Sequence, residues 1–150
     1  MASICGSPVC AGGKPKLKFT YTGDYVVRDD GVVELHSSGT LVFIDPAVID
    51  VFMVGGGGKG GRCVMTYSPA YYTANGGYGG GGGGYTRTIR RVSIATGTSI
   101  NVSVGAGGAA QINGNSSAMG SFEVSGGYGA SGGSIAIKNG GSGGSGGGGG

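Results

Sequence analysis

Gly55-Gly56-Gly57-Gly58-Lys59-Gly60 satisfies G-x-G-x-x-G directly after an apolar run, the spacing with which dinucleotide-binding loops receive a pyrophosphate. That chemistry needs two more parts, a helix whose first amides point at the phosphates and a carboxylate about 20 residues on for the ribose. No helical period follows, and the 72 residues between Asp50 and Glu123 contain no Asp or Glu. A phosphate-binding P-loop fails as well, because Gly60 follows Lys59 where Ser or Thr is required and Met53 stands where the first glycine belongs. In polyglycine the fingerprint arises almost automatically, and no nucleotide cofactor is expected.

The same gap in carboxylates removes paired acid–base catalysis and calcium loops from the glycine-rich part of the chain. His36 is the one histidine, and with a serine and Asp45 or Asp50 it would supply the parts of a triad; as a lone histidine at a strand end it reads more simply as a surface residue. Cys5, Cys10, Cys63 and His36 add up to four zinc ligands, but C-x4-C without a second tight pair is a poor zinc pattern. Buried or unpaired thiols are the simpler reading, and three cysteines do not make a disulfide framework. The expectation is a protein that is not an enzyme and holds no metal.

Tyrosine is the remaining chemistry. Six of the eight, Tyr67, Tyr71, Tyr72, Tyr78, Tyr85 and Tyr128, lie in or beside glycine clusters. A phenol offers a flat apolar face and a hydroxyl at low side-chain entropy, which suits stacking on sugars or docking on a protein. The first four are the candidate receptor-contacting residues. The alternative reading, that tyrosines cap packed glycine strands or fill a subunit interface, stands beside it.

The elements that position these residues divide into two styles. Residues 16 to 54 hold three glycines, Gly23, Gly31 and Gly39, between β-rich runs, and each reads as a hairpin mark. Tyr25 to Val27 and Val32 to Leu35 flank Asp29-Asp30-Gly31, whose Asp-Gly pair suits a tight turn. Ser37-Ser38-Gly39 turns the chain into Thr40 to Ile44. Ala47 to Val54 is nearly continuous in apolar residues and predicts a strand covered on both faces.

From Gly55 onward 34 of 96 residues are glycine, in clusters separated by strand-like runs at Tyr85 to Ile94, Ile100 to Val104, Ser121 to Val124 and Ser134 to Lys138. Ala95-Thr96-Gly97-Thr98 supplies the turn between the first two. Collagen is excluded, since Cys63 to Asn75 has no glycine and the chain has four prolines. Packed polyproline-II strands remain, because glycine lets neighbouring extended chains approach until their backbones pair. A flexible linker is the competing state, but it does not require strands at the ends of each cluster. The terminal GGSGGSGGGGG, taken alone, is indistinguishable from a linker.

With 38% hydrophobic and 11% charged residues the chain has too few charges for ordinary disorder and is expected to bury its apolar surface against itself or partners. A net charge of +3 spread along the chain, with no run longer than two, argues against nucleic acid; GGYGGGGGGY and KGGR are compatible with a glycine-rich RNA-binding segment but lack repeated Arg-Gly-Gly units. No stretch is long and apolar enough for a spanning helix, and MASICGSPVCAGGKPK lacks the order of a secretion signal. The expected fold is all-β, an antiparallel sandwich-like scaffold with packed polyproline-II glycine segments and essentially no α-helix. Its expected parts are an attachment segment at 1–15, a β-rich domain at 16–138 and a poly-Gly/Ser tail at 139–150.

Ile49-Asp50-Val51-Phe52-Met53-Val54 followed by GGGGKGG, then GGGGGGYTRTIRRVSIATGTSINVSVGAGG, then NGNSSAMGSFEVSGGYGASGG resembles the glycine-rich domain of phage and prophage tail fibre proteins over residues 40 to 150. The resemblance implies a β-rich scaffold with polyproline-II bundles, on chains that assemble into fibres, as a homotrimer, and meet other tail proteins and the host surface. It implies a virion location after synthesis in the host cytoplasm, with a host glycan or protein as possible partner and no membrane insertion. Chains of this kind continue past such a poly-glycine stretch. Exposed loops differ most among relatives, so no receptor site transfers residue by residue.

Overall fold

A computed structural model describes residues 2–6, 17–61, 65–68, 71–74, 79–109, 112–130 and 140–144. The chain forms two compact units. The first comprises Met1–Val54, Thr86–Gly105 and Ser116–Val124, and the second Gly55–Tyr85, Ala106–Asn115 and Ser125–Gly150. No helix occurs among the described residues.

The first unit is a sandwich of two five-stranded antiparallel sheets. One has the order β3-β4-β1-β6-β9, from Tyr25–Val27, Val32–Leu35, Ala2–Gly6, Ala47–Val54 and Thr86–Ile94. The other has the order β12-β11-β10-β5-β2, from Phe122–Val124, Ser117–Met119, Ser99–Ser103, Gly39–Phe43 and Phe19–Tyr21. Alternation along each strand sends one set of side chains inward. Ile4, Val33, Leu35, Ile49, Val51 and Met53 from the first sheet pack with Leu41, Phe43, Val102, Met119 and Val124 from the second. Among the described residues Ser117 is the one buried polar side chain, and its hydroxyl donates to the Val54 carbonyl at 2.7 Å and accepts the Gly105 N–H at 2.9 Å.

Three features depart from the sequence reading. Val48 and Phe52 on β6 are 41% and 40% exposed, while Ile49, Val51 and Met53 on the same strand are fully buried. The run is therefore covered on one face only, as an antiparallel sheet with a solvated outer face allows. Of the three early glycines only Gly31 makes a hairpin, joining β3 to β4 at φ 84°, where glycine is unstrained. Gly23 and Gly39 sit where the chain passes between sheets, from β2 to β3 and from β4 to β5. There a Cβ at Gly39 would lie 2.6 Å from the Gly23 nitrogen, so both glycines serve close backbone approach.

Ala2–Gly6, to which the sequence reading assigned no strand, runs as β1 between β4 and β6, with Ile4 opposite Val33 on one side and Val51 on the other. The expected strand Ser134 to Lys138 lies outside the described residues.

Candidate functional site

The glycine-rich unit is built by hydrogen bonds that repeat every three residues. Gly55, Gly58 and Gly61 donate their N–H groups to the carbonyls of Tyr85, Gly82 and Gly79 at 2.9, 2.8 and 3.1 Å. Gly56 and Lys59 donate to Asn115 and Ile112 at 2.9 and 3.3 Å, and their carbonyls accept from Gly127 and Ala130 at 2.8 and 2.9 Å. The Gly57 carbonyl accepts from Gly108 at 2.8 Å. A period of three is that of polyproline II, which has three residues per turn and no internal hydrogen bonds, so each segment pairs with a different neighbour on each face.

The neighbours follow the same rule. Gly82 and Tyr85 donate to Tyr128 and Ser125, and Gly141 and Gly144 donate to Gly80 and Gly83, at 2.8 to 3.2 Å. The stretch Gly140–Gly144, indistinguishable from a linker in sequence, is thus one of the paired strands. None of these glycines has a positive φ. What they contribute is the missing side chain: a Cβ on Gly55, Gly58, Gly81 or Gly84 would overlap the carbonyl of Ser125, Tyr128, Gly58 or Gly55 respectively.

This pairing engages four of the six amides of the fingerprint at Gly55 to Gly60. Five amides between Gly55 and Gly61 already donate to protein carbonyls, so they are not free to cradle a phosphate. Lys59 projects as an exposed side chain.

The tyrosine-bearing segment carries a separate two-stranded ribbon, β7 at Met65–Ser68 and β8 at Tyr71–Ala74. Its antiparallel register sets Tyr67 opposite Tyr72 and Ser68 opposite Tyr71. The structure thus brings three of the four candidate residues into one short element; Tyr78 lies outside the described residues. Sequence reading assigned no strand here, and the absence of glycine from Cys63 to Asn75 was the signal that could have found it. Tyr128 and Tyr85, also in the glycine-rich unit, are exposed.

On the sandwich, a second aromatic group escaped sequence analysis. The ring of Tyr25 meets those of Phe19 and Tyr21 edge-on, with centroids 5.3 and 6.2 Å apart. Tyr21 donates its hydroxyl to the Ser37 carbonyl at 2.5 Å. Burial, then the nearby Asp24 carboxylate, raises the Tyr21 phenol above its ordinary value, keeping it protonated.

His36 Nε2 lies 3.5 Å from Glu34 Oε2, and Glu34 Oε1 is 2.8 Å from Arg28 Nε. Asp45 pairs with Lys18 at 3.1 Å and Asp50 Oδ1 accepts the Arg91 N–H at 2.8 Å, so neither carboxylate orients the histidine. Cys10 and Cys63 lie outside the described residues.

No curated protein and no solved structure matches the chain. The sequence profile of the glycine-rich domain matches residues 36–150, which covers the glycine-rich unit and most of the sandwich strands. On that match, with the three-residue backbone pairing, the chain belongs to the glycine-rich domain family.

Proposed function

We propose that this chain is a non-enzymatic structural domain of a bacteriophage tail fibre or tail tip that contributes to host-surface attachment. The observation that carries the structural half of this reading is the three-residue register of Gly55 to Gly61 against three neighbouring segments. Backbone groups paired in this way make a stiff body from a composition that would otherwise yield a linker. The viral half rests on the resemblance of residues 40 to 150 to tail fibre domains. Self-assembly as a trimer and attachment to other tail proteins belong to the same proposal. Mass spectrometry of purified virions is the test: the polypeptide should be present in stoichiometric amounts, and its absence from intact particles rejects the reading.

A dedicated adhesin is the second reading, favoured by the concentration of Tyr67, Tyr71 and Tyr72 in the β7–β8 ribbon. Alanine at those three positions and at Tyr78 should abolish adsorption to host cells while particles still assemble. Unchanged adsorption would remove these tyrosines from the receptor site.

A further inference from the structure

Strand β9 breaks its alternation once. Ile49 stands opposite Val92 and Val51 opposite Ile89, so Arg90 and Arg91 together oppose Asp50 in a β-bulge. Ile89 and Val92 pack against the core, and both arginines are exposed. Strict alternation would have turned one of the two inward; the bulge turns both to solvent.

The bulge is held in an unfavourable conformation. Arg91 has φ 56°, the only non-glycine residue among those described with a positive φ. Glycine enters that region freely and arginine does not. A chain with 40 glycines nevertheless places arginine here. The N–H of Arg91 donates to Asp50 Oδ1 at 2.8 Å, which ties the strained residue to β6. Three ion pairs occur among the described residues, Lys18–Asp45, Arg28–Glu34 and His36–Glu34, and neither Arg90 nor Arg91 takes part in them. Three residues before the bulge Arg87 is already engaged, donating to the Glu123 carbonyl at 3.0 Å and lying 5.8 Å from the centre of the Phe122 ring.

Two consecutive arginines, both exposed and in none of the ion pairs among the described residues, stand opposite a single carboxylate that already accepts a backbone N–H. We propose that the Arg90–Arg91 bulge binds a phosphate-type oxyanion, whose geometry the guanidinium fork matches. The anion is either free in solution or carried on a headgroup at a surface. This site is distinct from the tyrosine ribbon and does not rest on the tail-fibre reading.

The experiment uses the full chain, isotope-labelled and followed by NMR at low salt. In one arm inorganic phosphate is added; in the other, vesicles of phosphatidylglycerol in phosphatidylcholine are compared with phosphatidylcholine alone. Saturable shifts centred on Arg90 and Arg91 are expected, weakening as sodium chloride is raised. Arg90→Gln and Arg91→Gly should each lower affinity roughly two- to fivefold, the range of a solvent-exposed charge pair. Arg91→Gly should unfold at the same or a higher denaturant concentration than the parent, which separates lost binding from lost fold. Response to phosphate alone identifies a free ion, and response to the anionic vesicles as well identifies a headgroup; both support the site. Shifts spread equally over Lys18 and Lys59, or affinity unchanged in both variants, would overturn it.

Discussion

Gly57 and Gly58 are neighbours in one extended segment and differ in what stands beside them. A Cβ on Gly58 would overlap the backbone carbonyl of Tyr128, which has no flexible end to move aside; a Cβ on Gly57 would reach nothing closer than the Gly82 carbonyl at 3.8 Å. Neither has a positive φ, so backbone handedness does not distinguish them. Gly58→Ala is expected to destabilise the glycine-rich unit by at least about 2 kcal/mol, within the overpacking range. Gly57→Ala should be neutral or stabilising by about 0.4–1 kcal/mol, because alanine has less unfolded-state freedom to lose. Urea unfolding of the two variants followed by circular dichroism checks the pair, and equal destabilisation would show that the segment is not packed as described. The glycine count says only that such positions exist; which ones are obligatory depends on neighbours the fold brings in, more than 20 residues away in sequence for Gly55, Gly58, Gly81 and Gly84.

The edge strand β2 is three residues long, and Tyr21 ties it to the turn before β5 through the Ser37 carbonyl. Because the folded-state phenol is raised above its unfolded value, the unfolded chain loses this proton first as pH rises. Its contribution is therefore present below about pH 10, the unperturbed value, and is lost as pH climbs through the folded value. Tyr21→Phe should remove that part of the alkaline loss and lower stability at neutral pH by about 0.5–1.5 kcal/mol for the missing hydrogen bond. Thermal melts across pH 8 to 11 test both; an unchanged alkaline slope in the variant would reject the assignment. Elements with strong local signals were legible: β3, β4, β5, β6, β9, β10 and β12 stand where β-branched runs and turn glycines put them. Missed were β1, β2, β7, β8 and β11, among them Ser117–Met119, whose three residues include no β-branched side chain and which exists because β10 and β12 pair with it. The bulge at Asp50 was equally hidden, since Arg90-Arg91 in a β-rich run carries no mark of a register shift. Concentration of tyrosines between Tyr67 and Tyr78 was visible in sequence; that Tyr67 is in register with Tyr72 was not, because register is a property of two strands.

The two units solve one problem in different ways. In the sandwich, apolar side chains supply the driving force and backbone pairing follows from strand alternation. In the glycine-rich unit few side chains are available, and ordering glycine removes more chain freedom than ordering any other residue. Stability there must come from the density of backbone hydrogen bonds and close Cα–H contacts, so it is collective: each segment holds its shape only while its neighbours hold theirs. Such a body opens as a whole, and its amide exchange reports that. The N–H groups of Gly55, Gly58, Gly82, Gly108, Gly114 and Gly127, spread over four separate segments of chain, should exchange at similar slow rates. Slowing of about a hundredfold or more is expected, corresponding to an opening free energy of at least roughly 2.8 kcal/mol at tenfold per 1.4 kcal/mol. Gly58→Ala should then accelerate exchange at Gly114 and Gly127, whose N–H groups bond to Gly127 and Gly56 and not to residue 58, together with its own neighbours. Independent, fast exchange at these glycines would mean that the segments behave as separate loops, and the stiff surface on which the proposed attachment role depends would not exist.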